Sequence, residues 1–177
     1  MAKTYEAMFE TTFTRIIGNE GKFQNDKNDR GNWTSGIVGQ GQLKGTKYGI
    51  SAMTYPTLDI ENLSLDHAKQ IYYNQWWIPL KMNQYPTALQ YQLIDASINH
   101  GMAETGKMLQ RAVGAKADGV LGPVTIGLIG AMNINDVLMQ FLAYRLEFMT
   151  NVSTWSIYGK GWSRRIAHNL KMAAIDN

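Results

Sequence analysis

The sequence contains no cysteine, so disulfide frameworks, thiol catalysis and cysteine-based metal sites are excluded. Proline is scarce, with 4 in 177 residues, and long apolar runs are missing. The uncharged segment "GVLGPVTIGLIGAM" at 119–132 is broken by glycine and proline, and it is shorter than the ~20 residues that a membrane-spanning helix needs. The sequence therefore predicts no insertion into a membrane.

A secretory leader is not recognisable either. The first residues, "MAKTYEAMFETTFTRIIGNEG", space their apolar side chains instead of joining them into one core. We therefore expect the protein to be made in soluble form in the cytoplasm. The lack of cysteine fits synthesis in a reducing compartment.

The composition that remains is that of a folded protein with a slight positive charge. Hydrophobic residues make up 45% and charged residues 18%, which indicates a globular chain and excludes a disordered one. The length allows one well-buried domain or two very small ones. The net charge of +3 favours an anionic partner, which could be nucleic acid, an anionic lipid surface or an anionic wall polymer.

Hydrophobic periodicity predicts a mainly α-helical fold. Apolar side chains recur at helical spacing over residues 4–18, and Gly18 with Asn19 marks the end of this first helix. Residues 21–49 then contain seven glycines and no proline, which predicts a long loop with room for a small hairpin. Long loops in compact domains are usually functional.

Caps and breakers predict the later helices. They are expected to begin or end at Ser64 and Pro79, at Pro86 and Gly101, at Glu104 and Gly114, at Pro123, at Asn135, and at about residues 161 and 174. The predicted fold class is a helical domain with one glycine-rich insertion after its first helix.

The stretch "NEGKFQNDKNDRGN" at 19–32 places three acids directly after the first helix: Glu20, Asp26 and Asp29. A solvated turn is one interpretation, because most Glu side chains are exposed. A carboxylate active site is the other. A carboxyl at the end of an apolar helix is partly desolvated, which raises its pKa and lets it donate a proton near neutral pH. Glycoside hydrolysis needs a second carboxyl across the sugar ring, and Asp29 is nine residues away.

Metal binding is a rival use of this loop, but the pattern does not support it. "DKNDRG" at 26–31 resembles a calcium loop, yet the fifth position is Arg30 and the twelfth is Ile37, where oxygen ligands are needed. The histidines at 67, 100 and 168 are too scattered to suggest a site. We predict no metal and no cofactor.

Nucleic-acid binding is a rival use of the basic charge. "GKGWSRRIAHNLK" combines four basic residues with Trp162. A run of charge is more often a solvated face, and the chain has no recognised nucleic-acid motif. We therefore predict no nucleic-acid partner.

Two stretches of the first half resemble glycoside hydrolase family 108, the phage and prophage endolysins with N-acetylmuramidase activity. They read Glu20-Gly21-Lys22-Phe23 with the Asp-rich turn, and Thr46-Lys47-Tyr48-Gly49-Ile50-Ser51. Lys22 and Ser51 depart from the family pattern, and residues 33–45 look like an insertion. The insertion leaves open whether Thr34 or Thr46 matches the family threonine, and "KYGIS" favours Thr46.

The second half resembles the peptidoglycan-binding segment of the same family, in "DASINHG", in "LQRAVGAKADGVLGPVT" and in "GKGWSRR". The resemblance implies a catalytic segment at 1–85 and a helical peptidoglycan-binding segment at 86–177, packed into one lysozyme-like globule.

The resemblance also implies roles for individual residues. Glu20 would be the general acid, Asp29 the second carboxylate, with Asp26 as the alternative, and Thr46 would hold the attacking water. Tyr48 and Asn99 are expected in the sugar cleft, unless they serve packing instead.

The function that follows is hydrolysis of the β-1,4 bond between N-acetylmuramic acid and N-acetylglucosamine in peptidoglycan, by a monomer. An endolysin would be made in the host cytoplasm and released through a holin, and its charge would attract it weakly to the anionic envelope. A lytic transglycosylase cleaving the same bond and a non-catalytic wall-binding protein are the alternatives.

Overall fold

A computed structural model describes residues 5–18 and 22–177, and it is mainly α-helical. This confirms the predicted fold class of a lysozyme-like helical protein with a small hairpin. The helices are α1 Ala7–Ile17, α2 Leu65–Tyr72, α3 Thr87–His100, α4 Met102–Ala112, α5 Pro123–Ala131, α6 Ile134–Thr150 and α7 Trp155–Asp176. The strands are β1 Thr46–Lys47 and β2 Ile50–Ser51. Short 3-10 turns cover Arg30–Asn32 and Met82–Gln84, and a π-helical turn covers Tyr73–Trp77.

The chain divides into two compact units, Met1–Gln75 and Trp76–Asn177. The roles expected for residues 1–85 and 86–177, catalysis and peptidoglycan binding in one globule, stay predictions.

The first unit is built on an aromatic cluster along α1. Phe9 and Phe13 are buried on one side of this helix. The Phe9 ring meets Tyr73 edge-on at 5.0 Å between centroids, and Phe13 meets Tyr72 at 5.4 Å in the same way. The apolar stripe predicted over 4–18 therefore forms the core, and the helix ends at Gly18, whose φ of 51° suits a residue without a Cβ.

The hairpin pairs Thr46 with Ser51 and Lys47 with Ile50 in antiparallel register. Tyr48 and Gly49 join the strands with φ values of 53° and 75°, so both central residues are left-handed, as in a type I′ turn. A Cβ on Gly49 would lie 2.5 Å from the Tyr72 hydroxyl oxygen, so α2 requires glycine here. Isolated bridges from Gln24 to Thr46 and from Trp33 to Leu43 tie the preceding loop to the hairpin.

The second unit surrounds one almost fully buried helix. Every residue of α3 from Ala88 to Ser97 is buried, and α4, α6 and α7 all pack against it. This helix follows Pro86 and ends at Gly101, as the sequence predicts. Its polar side chains, such as Gln90 and Gln92, donate to backbone carbonyls inside the unit.

Two predicted helix starts were wrong. Asn133, not Asn135, caps α6, because the Asn133 side chain accepts the Asn135 backbone N–H. The last helix begins at Trp155 and not near residue 161. Its glycines do not interrupt it, since Gly159 is buried under the Trp155 ring, where a Cβ would approach a ring carbon to 2.7 Å.

Candidate active site

The predicted general acid, Glu20, lies outside the described residues together with Asn19 and Gly21. The site is therefore built from the loop that starts at Lys22 and from the hairpin. Its other predicted members in this unit, Asp29, Thr46 and Tyr48, all belong to the described part.

Asp29 caps the 3-10 turn that follows it. Its Oδ1 accepts the Gly31 backbone N–H at 2.8 Å, and its Oδ2 accepts the Gln24 side-chain amide at 3.3 Å. The carboxylate is otherwise exposed to solvent. Oδ1 is thus occupied by the cap. Oδ2 makes one long hydrogen bond and faces solvent, so it can accept a further hydrogen bond.

Asp26 lies in the same loop but makes a different turn. Its Oδ1 accepts both the backbone N–H and the side-chain amide of Asn28, at 2.9 and 3.1 Å. Its backbone carbonyl accepts the Asn32 amide at 2.9 Å. These bonds hold the Asp26 carboxylate in a local turn, whereas Asp29 is connected to the hairpin through Gln24.

Two amide side chains connect this loop to Thr46, the exposed Gln24 and the buried Asn32. Gln24 and Asn32 exchange side-chain hydrogen bonds at 3.0 and 2.8 Å, and the Thr46 hydroxyl donates to Asn32 Oδ1 at 2.8 Å. Asn32 is 0% exposed, and Thr46 is half-buried at the start of β1. The bonds run from Asp29 through Gln24 and Asn32 to Thr46, so the structure brings two predicted site residues into one network.

Thr34, the other candidate threonine, has a structural role in a separate loop. Its Oγ1 accepts the Gln42 backbone N–H at 2.9 Å. A Cβ on Gly41 would lie 2.6 Å from this oxygen, so the loop closes tightly over the hydroxyl. The structure thus places Thr46, and not Thr34, in the network that contains Asp29.

Tyr48 occupies the tip of the hairpin, next to the network. Its backbone carbonyl accepts the Tyr72 hydroxyl at 3.0 Å. Burial raises the pKa of Tyr72 to about 12, so this phenol keeps the proton that it donates. The Tyr48 ring itself is half-exposed, with the Lys47 ammonium 5.5 Å from its centroid.

Asn99 belongs to the second unit, in the last turn of α3. Its side-chain amide donates to the Asp95 carbonyl at 2.6 Å, and the residue is exposed. It lines a cavity of about 320 Å³ within that unit.

Gln24 and Asn32 are the residues that the sequence did not single out. Neither is an acid or a base. The hydrogen bond that joins them to Thr46 is made by Asn32, which lies 14 residues earlier in the chain. Local pattern carries no signal for such a contact. The one related feature of the sequence is that amide side chains recur within the Asp-rich turn.

The described residues, 5–18 and 22–177, contain no group of three or more His, Cys, Asp or Glu placed to hold a metal ion. Over the same ranges, none of the helices is both long enough and apolar enough to cross a bilayer.

Helices around a buried central helix, with an acid-bearing loop and a short hairpin, define the class of the protein as lysozyme-like. The sequence model for "Glycosyl hydrolase 108" matches residues 13–101, just over half of the chain. The chain belongs to this family, and it is accordingly a glycoside hydrolase that acts on peptidoglycan. All five predicted site residues lie within the match.

The fold is shared with a solved structure described as "Structure of Brucella abortus SagA". The TM-score is 0.79, and the alignment covers 97% of this chain and 97% of that chain at 23% identity. At this identity the likeness shows the fold. No curated protein matches the sequence. Binding of peptidoglycan by the second half remains a prediction, because residues 102–177 lie outside the family match.

Proposed function

We propose that the protein is an N-acetylmuramidase, which hydrolyses the β-1,4 bond between N-acetylmuramic acid and N-acetylglucosamine. Family membership supports glycosidic hydrolysis of the wall. The single observation that carries the choice of residues is the hydrogen-bond network from Asp29 to Thr46, because it joins a carboxylate and a hydroxyl that could hold one water.

Glu20 is the proposed general acid. It follows an apolar helix in sequence, and a carboxyl that is partly desolvated keeps its proton near neutral pH. As the bond between the anomeric carbon and the glycosidic oxygen breaks, the Glu20 proton passes to that oxygen.

Asp29 and Thr46 are the proposed holders of the attacking water. The hydrogen of the Thr46 hydroxyl is committed to Asn32, so Thr46 can only accept a hydrogen from the water. The exposed Oδ2 of Asp29 accepts the other hydrogen and takes it as a proton. The water oxygen keeps a lone pair for the anomeric carbon, and one C–O bond forms as the other breaks. This reaction inverts the anomeric configuration, and the two carboxyls should lie ~6.5–9.5 Å apart.

The remaining expectations belong to the same proposal. Tyr48 and Asn99 contact the glycan strand, and the enzyme acts as a monomer. It is a phage-type endolysin, made in the host cytoplasm and released to the wall through a holin. Its net charge of +3 concentrates it at the anionic envelope, an effect that added salt weakens.

Product analysis after digestion of purified peptidoglycan tests the reaction. A muramidase releases fragments with a reducing N-acetylmuramic acid end. A lytic transglycosylase, which uses one acid and no water, leaves a 1,6-anhydro ring, and mass spectrometry shows this product as lighter by one water. A protein that only binds would sediment with the wall and release nothing, which would overturn the proposal.

Glu20→Gln tests the acid. We expect this variant to keep its unfolding temperature and to lose clearing of a wall suspension. Glu61→Gln is a matched control, because it removes an exposed acid of the same unit. A normally active Glu20→Gln protein would refute the assignment.

A further inference from the structure

The second unit contains a cavity of about 320 Å³ whose lining includes Asn99 but none of the groups proposed for bond cleavage. The end of α3, α6 and the first half of α7 surround it. Six of its lining residues carry the argument: Asn99, His100, Arg145, Phe148, Trp162 and Arg165. They combine two guanidinium groups with two aromatic rings.

The charges beside this cavity are unbalanced. The Asp95 carboxylate lies 2.7 Å from an Arg145 nitrogen and 3.0 Å from an Arg165 nitrogen, so one carboxylate forms ion pairs with two cations. Burial and the neighbouring Arg145 lower the pKa of His100 to about 4, which leaves this ring neutral at neutral pH. The local charge is therefore close to +1, and it attracts an anion.

Some N–H donors of the two guanidinium groups have no partner among the residues that the structure describes. Arg165 gives one nitrogen to Asp95 while its side chain stays 44% exposed, and a guanidinium has five N–H donors. Arg145 is 0% exposed, and its Nη2 has no hydrogen-bond partner within the described part of the chain. Because this nitrogen is closed to solvent, Arg145 contributes positive charge, and Arg165 is the guanidinium that a ligand in the cavity can contact.

Two further aromatic rings of α7 accompany the Trp162 ring that lines the cavity. Trp155, Tyr158 and Trp162 follow one another along one face of α7, and the Trp162 centroid lies 6.0 Å from that of Trp155 and 5.9 Å from that of Tyr158. Gly159 lets the Trp155 ring lie against the helix backbone, which supports this arrangement. Phe148 adds a further ring from α6.

We propose that this cavity is a subsite for an acidic amino sugar, with the carboxylate on Arg165 and the apolar face of the pyranose on Trp162. A carboxylate fits the forked geometry of a guanidinium. A sugar ring adds the apolar face that a simple anion lacks. The proposal rests on the proposed function for the source of the ligand, because N-acetylmuramic acid is the acidic sugar of peptidoglycan.

The test uses the full chain and two monosaccharides that it does not cleave. N-acetylmuramic acid carries the lactyl carboxylate, and N-acetylglucosamine lacks it. The readout is the indole N–H signal of each tryptophan in a ¹H–¹⁵N spectrum, with Trp162 assigned through Trp162→Phe. We expect N-acetylmuramic acid to shift the Trp162 signal, and N-acetylglucosamine to bind at least about tenfold more weakly.

Arg165→Gln should weaken binding of N-acetylmuramic acid by about tenfold, and added salt should act in the same direction. Arg164→Gln is the matched control, because it removes the same charge from the adjacent exposed position of α7. Arg165→Lys keeps the positive charge but loses the forked N–H donors of the guanidinium. Its affinity should lie between that of Arg165→Gln and that of the unmodified protein. Unfolding temperatures identify any variant that has lost its structure.

Equal affinity for the two sugars would overturn the proposal, as would equal losses in Arg164→Gln and Arg165→Gln. Shifts confined to Trp33, which belongs to the first unit, would overturn it too. This failure is distinguishable from failure of the proposed function. A wrong subsite leaves product release from peptidoglycan intact, whereas a wrong reaction leaves the Trp162 shift intact.

Discussion

The Thr46 hydroxyl donates a hydrogen bond of 2.8 Å to Oδ1 of Asn32, a side chain that is completely buried. Asn32 is itself held by Gln24 and by the Asp26 carbonyl. The hydrogen of the Thr46 hydroxyl is therefore directed at Asn32 Oδ1. The Thr46 hydroxyl oxygen is then available only as a hydrogen-bond acceptor. A water bound at Thr46 must therefore donate a hydrogen bond to it.

Thr46→Val removes this acceptor while keeping the shape of the side chain. We expect hydrolysis of peptidoglycan to fall by about 10²-fold, because the water loses its position. Thr46→Ser keeps the hydroxyl and should stay within a few-fold of full activity. Thr34→Val is the control for the other candidate threonine, and it should cleave normally. If Thr34→Val is the inactive variant, the assignment of the family threonine is wrong.

The two aspartates of the loop can be separated by a pair of isosteric changes. Asp29→Asn should lose about 10²-fold or more in rate, because an amide cannot take a proton from the water. Asn still caps a helical turn well, so the fold should survive. Asp26→Asn keeps an acceptor for Asn28 and should remain active. Rates of wall clearing for the two variants, compared at equal unfolding temperature, give the answer, and the reverse ranking would make Asp26 the second carboxylate.

His100 predicts a pH dependence of stability in the second unit. Burial, aided by Arg145, lowers its pKa in the folded state to about 4 from the ordinary 6.5. The unfolded chain therefore binds a proton first as the pH falls, and the stabilisation present above pH 6.5 is lost progressively down to about 4. Protonation would also place a hydrogen on the Nε2 that accepts Arg145 Nε at 3.1 Å.

Urea unfolding between pH 7 and pH 5 measures this effect. His100→Gln keeps an acceptor for Arg145 and does not titrate, so its stability should change less with pH in this window. His67→Gln, at an exposed position of α2, should retain the full dependence. Asp95 does not interfere in this range. Burial alone would raise its pKa, but Arg145 and Arg165 outweigh this and hold the pKa below the ordinary 3.8. An unchanged slope in His100→Gln would contradict the account.

Two glycines of α7 provide a matched test of close packing. Gly161→Ala meets no atom within 4 Å and should stabilise the helix by up to about 1 kcal/mol, because alanine is the better helix former. Gly159→Ala places a Cβ 2.7 Å from the Trp155 ring, so we expect a net loss of about 1–3 kcal/mol from overpacking. Equal stability of the two variants in urea would show that the Trp155 ring moves away freely.

Several helix boundaries could be predicted because they depend on neighbouring residues. Ser64 accepts the His67 backbone N–H at 3.2 Å, and Gly101 ends α3 with a φ of 81°. Asn133 and Asn135 show where this reasoning fails. Both are good caps, and local pattern does not choose between residues two positions apart.

Other features depend on contacts between distant parts of the chain. Gly159 looks like a helix breaker in sequence, yet it is a site of close approach for Trp155. Gln110 looks like an ordinary helix residue. It is buried in α4, where it donates to Asp118 at 2.8 Å and accepts the Gly119 backbone N–H at 2.7 Å, which holds the turn before α5. Its role appears only when α4 and this turn are brought together.

The order of residues alone determined that this chain forms a helical protein with an acid-rich loop after its first helix, because periodicity, caps and breakers act over a few neighbouring positions. Tertiary structure alone decided that Gln24 and Asn32 connect Asp29 to Thr46, and that Asp95 lies between two arginines. Hydrogen bonds and ion pairs of this kind join side chains far apart along the chain, and only the packing of the fold determines which of them meet.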